Sequence, residues 1–180
     1  MEFVELAILG SYLLVPERHE DERGFFARSW CSTEFATRGL SPLLAQSNVS
    51  YNPRRGTLRG LHYQIPPHQE DKLVTCVRGS VWDVVLDLRR GSATYGEWHA
   101  ENLDGGNLRS LYIPRGCAHG FLTRSDDTLV LYQISEPFDP SCARGVRWDD
   151  PAFGIEWPDV PSIVGERDRS YSDFGSGSPD

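Results

Sequence analysis

The sequence is poor in the signals that define several large protein classes. No apolar stretch approaches the ~18 residues that a membrane span needs. The N-terminus has no basic segment followed by a long apolar run, so no secretory signal peptide is read there. Cysteine is scarce. Cys31, Cys76, Cys117 and Cys142 are widely spaced and form no CxxC pair, which excludes a zinc ribbon and a dithiol redox motif. Scattered free thiols suit a cytoplasmic protein. Basic residues are outnumbered, and the net charge of −8 argues against a broad nucleic-acid surface. It does not argue against one anionic ligand, which a few local arginines can hold. Internal repeats are absent, and low complexity is confined to the terminal GSGSPD. Helix signals are few: Ser32-Thr33-Glu34-Phe35 can open a short helix that stops near Gly39.

What is present reads as strand. The 180 residues suffice for one sizeable core, so a single domain over residues 1–180 is expected. Runs at residues 73–77 and 81–88 flank Arg78-Gly79-Ser80, which reads as a tight hairpin turn. In the second run Trp82, Val84, Leu86 and Leu88 alternate with Asp83, Val85 and Asp87, a period of two with one face wetter than the other. Residues 95–103 precede the turn Asp104-Gly105-Gly106-Asn107, and residues 108–113, 120–123 and 128–134 give three more strands. Short strands with Gly and Pro punctuation predict an all-β sandwich or barrel. Residues 149–180 carry Pro151, Pro158 and Pro161 before the polar tail, predicting irregular structure and a flexible end over about 170–180.

The chemistry begins in RGLHYQIPPHQEDKL, residues 59–73. Gly56, five residues and His62 resemble the first cupin motif, and Pro114-Arg115-Gly116-Cys117-Ala118-His119 resembles the second. Both imply a double-stranded β-helix, a small jelly roll. Metal-binding cupins offer three histidines and a glutamate. Here Gln64 stands at the second histidine position, and no glutamate is evident at the usual place before Lys72. A neutral amide is a poor ligand and an ammonium repels a cation, so no metal is expected. Arg59, His62, Lys72 and His119 gathered at a barrel mouth are costly to bury without an anion, which suggests a polar anionic ligand.

Longer stretches carry a closer resemblance. LRGLHYQ, KLVTCVRGSVWDVVLDLRRGSATYGEW, LYIPRGCAHGF and RGVRWDDPAFGIEWP are similar, in order, to the dTDP-4-dehydrorhamnose 3,5-epimerase family. The likeness runs from about Arg23 to Trp157, and weakly to Asp168. It implies a cofactor-free cupin, usually a homodimer, that inverts carbons 3 and 5 of a dTDP-4-keto-6-deoxyhexose. A C–H beside a ketone needs a base, an enolate needs a positive partner, and inversion needs an acid on the opposite face. The resemblance implies His62 as the base, Asp168 as its carboxylate partner, Lys72 on the enolate oxygen and Tyr132 as the acid. It implies Arg59 and His119 near the reacting carbons, with Gln46, Asn48 and Arg23 toward the nucleotide. In many relatives the Arg23 segment comes from the partner subunit.

The sequence also departs from the family pattern. Arg28 stands where a glutamate is common, and Phe138 replaces a tyrosine; both are expected to contact the ligand. His68-Gln69-Glu70-Asp71 fills a place that often holds small or neutral residues. These changes leave the proton chemistry intact. They leave open a 3-only or 5-only epimerase, a CDP-linked substrate, and a non-catalytic sugar-nucleotide binding module.

Overall fold

Strands with apolar residues at every second position leave two sheets little choice but to face each other. The computed structural model describes residues 1–175. Strands β1 (Glu2–Glu5) and β2 (Tyr12–Val15) open the chain, and β3 (Arg18–Asp21) with β4 (Gly24–Ala27) forms a separate hairpin. Helix α1 (Ser32–Thr37) follows. Next come β5 (Gln46–Asn52), β6 (Thr57–Gln64), β7 (Lys72–Arg78), β8 (Ser80–Asp87) and β9 (Trp98–Asp104). Then come β10 (Ser110–Ile113), β11 (Cys117–Thr123), β12 (Thr128–Ile134) and β13 (Ala143–Gly145). Strand β14 (Ile163–Val164) and helix α2 (Glu166–Arg169) end the regular structure.

One sheet has the order β1-β2-β10-β7-β12-β5 and the other β13-β6-β11-β8-β9, with β14 parallel to β6. Val74, Val85, Leu111, Phe121 and Val130 are fully buried and meet between the two sheets. The outer faces are covered too. Leu14, Leu73 and Tyr112 hold Phe35 of α1 against the first sheet. On the second, Val84 and Leu86 meet Trp82, Trp98 and Trp157, with Trp82 and Trp157 centroids 5.2 Å apart. This is the expected all-β jelly roll.

Three local expectations are revised. Residues 78–80 do not make a hairpin. Strand β7 belongs to the first sheet and β8 to the second, so Gly79 turns the chain between sheets. Its φ of +76° suits glycine, and a Cβ there would stand 2.5 Å from the Thr128 hydroxyl. Turn residues alone cannot tell a hairpin from a crossover. The Asp83 and Asp87 face of β8 is not wet: both residues are fully buried, because it is the inner face of the barrel. The C-terminal segment is more regular than expected, since β14 and α2 pack back against β6. At its end the Phe174 amide donates to Asp150 and the ring lies 4.9 Å from that of Phe153; residues 176–180 of the expected flexible tail lie outside the described residues.

The four cysteines are unpaired. Burial pushes the Cys76 thiol up to about 11 and the Cys117 thiol up to about 12, and Cys142 is also buried. Thiolates react, and buried thiols do not. A chromogenic disulfide reagent at pH 8 is therefore expected to modify only Cys31 in the folded protein and all four thiols after denaturation. Rapid reaction of more than one in the native state would contradict this packing.

Candidate active site

The two cupin-like motifs meet through strand pairing. His62 on β6 and His119 on β11 are register partners. Their approach depends on Gly60, whose φ is +121° and whose Cβ, if present, would lie 2.5 Å from the Gly120 Cα. Tyr132 comes from β12 of the opposite sheet. Between the sheets opens a cavity of about 500 Å³, lined by His62, Lys72, His119 and Tyr132 among others. That volume suits a ligand of sugar-nucleotide dimensions.

The His62 Nε2 lies 2.6 Å from the Asp168 Oδ1, and the other Asp168 oxygen accepts from the Gly60 amide at 3.1 Å. Burial opposes ionisation of Asp168, but the hydrogen bond and charge of His62 and the Gly60 amide outweigh it, holding the carboxyl below its usual value. The dyad orients the ring and leaves Nδ1 with no protein partner among the described residues. Tyr171 stacks edge-on over His62 at 6.4 Å. Gly145 makes room for it, since a Cβ there would overlap the Tyr171 ring.

Lys72 is buried and donates to the His62 carbonyl oxygen at 2.9 Å and to Glu70 at 2.9 Å. An ammonium offers three donors, so one remains for a ligand. His119 is buried, 2.9 Å from Asp83 and T-shaped to Tyr132 at 5.8 Å between centroids. Burial drives the Asp83 carboxyl upward against the pull of His119. Burial also drives the Tyr132 phenol well above its ordinary value, with the Asp83 charge adding to it. Tyr132 is therefore a neutral O–H at physiological pH.

The structure brings together most of the expected residues. His62, Lys72, Asp168, Tyr132, Asn48, Arg59, His119 and Phe138 all line the one cavity. Gln46 instead uses its side-chain oxygen on the Phe138 amide at 2.8 Å. Arg23 and Arg28 are not in this chain's cavity: Arg23 pairs with Asp21 on the β3–β4 hairpin, and Arg28 pairs with Glu34 of α1. Burying the basic groups of the cavity does not by itself demand an external anion. Lys72 pairs with Glu70, and His62 and His119 each face a carboxyl group, Asp168 and Asp83. Arg59 is the exception: among the described residues only its Nε is engaged, with Asn52 at 2.8 Å.

Sequence reasoning missed Asp83, which it read as a wet position, and the pairing of Glu70 with Lys72. The signal for Asp83 was there: an acid in an eight-residue strand that is otherwise mostly apolar. Arg144 and Arg167 also line the cavity, and nothing in their local sequence singled them out. Among the described residues, no group of three or more His, Cys, Asp or Glu side chains is arranged to hold a metal ion.

A model of the dTDP-4-dehydrorhamnose 3,5-epimerase family matches residues 5–176. The chain belongs to this family. A dTDP-4-dehydrorhamnose 3,5-epimerase of Methanothermobacter thermautotrophicus is 41% identical over 174 residues, covering 94% of this chain and 92% of the relative. A dTDP-4-dehydrorhamnose 3-epimerase of Streptomyces niveus is 40% identical over 170 residues, covering 94% and 82%. The crystal structure of the Bacillus anthracis 3,5-epimerase, with TDP and PPi bound, superposes with a TM-score of 0.92 at 35% identity, covering 96% of this chain and 99% of that one. Family membership makes the chain an isomerase and agrees with the jelly roll described above.

Proposed function

We propose that this protein epimerises carbon 3, carbon 5 or both of a dTDP-4-keto-6-deoxyhexose, in deoxysugar biosynthesis of the rhamnose type. His62 takes the proton beside the ketone, with Asp168 fixing its ring and balancing its charge. The free N–H of Lys72 meets the enolate oxygen, where a compact cation is worth most in a site shielded from water. Tyr132 returns a proton to the opposite face. Asn48, Arg59 and His119 hold the ligand, the Arg59 guanidinium meeting phosphate. One observation carries this reading: the His62–Asp168 dyad and the neutral Tyr132 phenol stand on opposite sheets and open onto the same cavity.

The test is solvent isotope. In D2O with authentic dTDP-4-keto-6-deoxyglucose, deuterium is expected at C3, C5 or both, as read by NMR. No label at either carbon would end the epimerase reading and favour a binding module. A single-carbon reading is supported by Phe138, which lacks a hydroxyl at the cavity wall, and by the Streptomyces niveus relative; label at one carbon only would select it. A thermal-shift panel of dTDP, UDP, CDP and GDP tests the carrier, with dTDP expected to stabilise most.

A homodimer is part of the proposal. The β3–β4 hairpin forms its own two-stranded sheet, with Phe26 75% and Phe25 45% exposed. Strand β5 is an open sheet edge with Val49 62% exposed. A hairpin laid on a second copy would cover both surfaces and carry Arg23 toward that copy's nucleotide. The variant Phe26→Asp is expected to sediment as a monomer with at least about tenfold weaker dTDP binding; an unchanged dimer with full affinity would refute this arrangement. The reaction is placed in the cytoplasm, which the unpaired cysteines support. No helix among the described residues is long and apolar enough to cross a membrane.

A further inference from the structure

Gln64 stands two residues after His62, where a metal cupin would offer a histidine, and the structure shows what its amide does instead. The side chain is 4% exposed. Its Nε2 donates to the His68 carbonyl oxygen at 2.8 Å and to the Pro137 carbonyl oxygen at 3.3 Å. Its Oε1 accepts from the Asp139 amide at 2.7 Å. The two groups held on the second loop flank Phe138. The Phe138 amide itself donates to Gln46 at 2.8 Å. Two glutamines, one from each sheet, therefore hold three successive residues of one loop. His68 adds contacts from the same side, 3.0 Å to Glu136 and 3.5 Å to Asp139. The Phe138 ring, 55% exposed, forms part of the cavity wall.

We infer that Gln64 is a positioning residue for the sugar-nucleotide site, fixing the loop that sets where the Phe138 ring stands. The inference rests on Phe138 contacting the ligand, as proposed above. The amide is the suitable group. A carboxylate would set oxygen against two carbonyl oxygens, and an apolar side chain would leave both donor contacts and the Asp139 amide unanswered. Fixing the wall matters for affinity, because a contact residue already held in place loses less freedom when the ligand binds. Gln64 also lines the cavity, but its amide is bonded to backbone, and the double variant below separates an effect through Phe138 from a direct one.

The test compares Gln64→Leu, Gln64→Glu, Phe138→Ala and the Gln64→Leu/Phe138→Ala double variant. Calorimetry gives the Kd for dTDP, steady-state kinetics give KM and kcat, and both are run well below each variant's melting temperature. Each Gln64 variant is expected to weaken dTDP and raise KM by about tenfold, with kcat within about threefold of wild type. In the Phe138→Ala background, Gln64→Leu is expected to cost nothing further. A lowered melting temperature with wild-type dTDP affinity would make Gln64 merely structural and overturn the inference. Losses that add in the double variant would overturn it as well, because Gln64 would then act elsewhere. If Phe138→Ala binds dTDP as well as wild type does, the contact assigned to Phe138 falls and this inference falls with it.

Discussion

Replacing His62 with alanine is expected to abolish deuterium wash-in and epimerisation together, by at least about 10³-fold, while dTDP affinity stays within about threefold. The imidazole lines the cavity, its Nδ1 has no protein partner among the described residues, and the buried Asp168 carboxylate stands behind it. Without it no group stands ready to take the C–H proton, so exchange stops before inversion can be asked. Asp168→Asn should retain the ring but lose both tautomer control and the balancing charge, lowering kcat by about 10²–10⁴-fold with KM little changed. A pH consequence follows from the depressed Asp168 carboxyl. A group whose folded value lies below its unfolded value of ~3.9 stabilises the fold fully above that value. The contribution is lost as pH falls through the folded value. Melting temperature in wild type should therefore drop below about pH 4 more steeply than in Asp168→Asn. Exchange at C3 and C5 surviving in His62→Ala would sink the base assignment.

Much of this site was legible because the chemistry sits on strand-bound motifs. His62 follows a glycine-spaced turn and His119 follows Pro114-Arg115-Gly116, and pairing of β6 with β11 brings the two together as the motifs imply. Lys72 and Tyr132 fall on β7 and β12, neighbours in one sheet. Asp168 was harder. It reaches His62 only because β14 runs parallel to β6 and α2 then turns inward, a path that a proline-rich stretch does not announce. Asp83 was misread because alternation reports that a strand has two different faces, not which face meets solvent; in a barrel the polar face can be the inner one. Glu70 was lost for a related reason. Its partner Lys72 lies only two residues away, but a sequence shows neither the burial that makes their pairing necessary nor the cavity they share. Arg23 and Arg28 mark another limit: in this chain they pair with Asp21 and Glu34 away from the cavity, and only the proposed dimer would give Arg23 a ligand to reach.

Tyr132→Phe is expected to divide the reaction in two. Epimerised product should fall by about 10²–10⁴-fold, while deuterium still enters the recovered substrate at the carbon nearest His62. His62 and Lys72 remain, so the enolate still forms. The protonated His62 can then return a proton or deuteron only to the face from which it took one, and the original configuration is restored. Inversion needs a donor on the other side of the sugar, and Tyr132 offers a phenol from the opposite sheet. Burial makes this phenol a reluctant acid, which suits the task. A readily ionised phenol would be a phenolate beside Asp83 and could donate nothing, whereas this one keeps its proton until a strongly basic enolate carbon draws on it. Removing only the oxygen should leave the packing against His119 and Phe121 nearly intact, so melting temperature and dTDP binding should stay close to wild type. Loss of exchange and inversion in equal measure would place Tyr132 in enolate formation instead. Unchanged inversion would move the acid to another residue of the cavity, with His119 on its Asp83 partner the next to be tested.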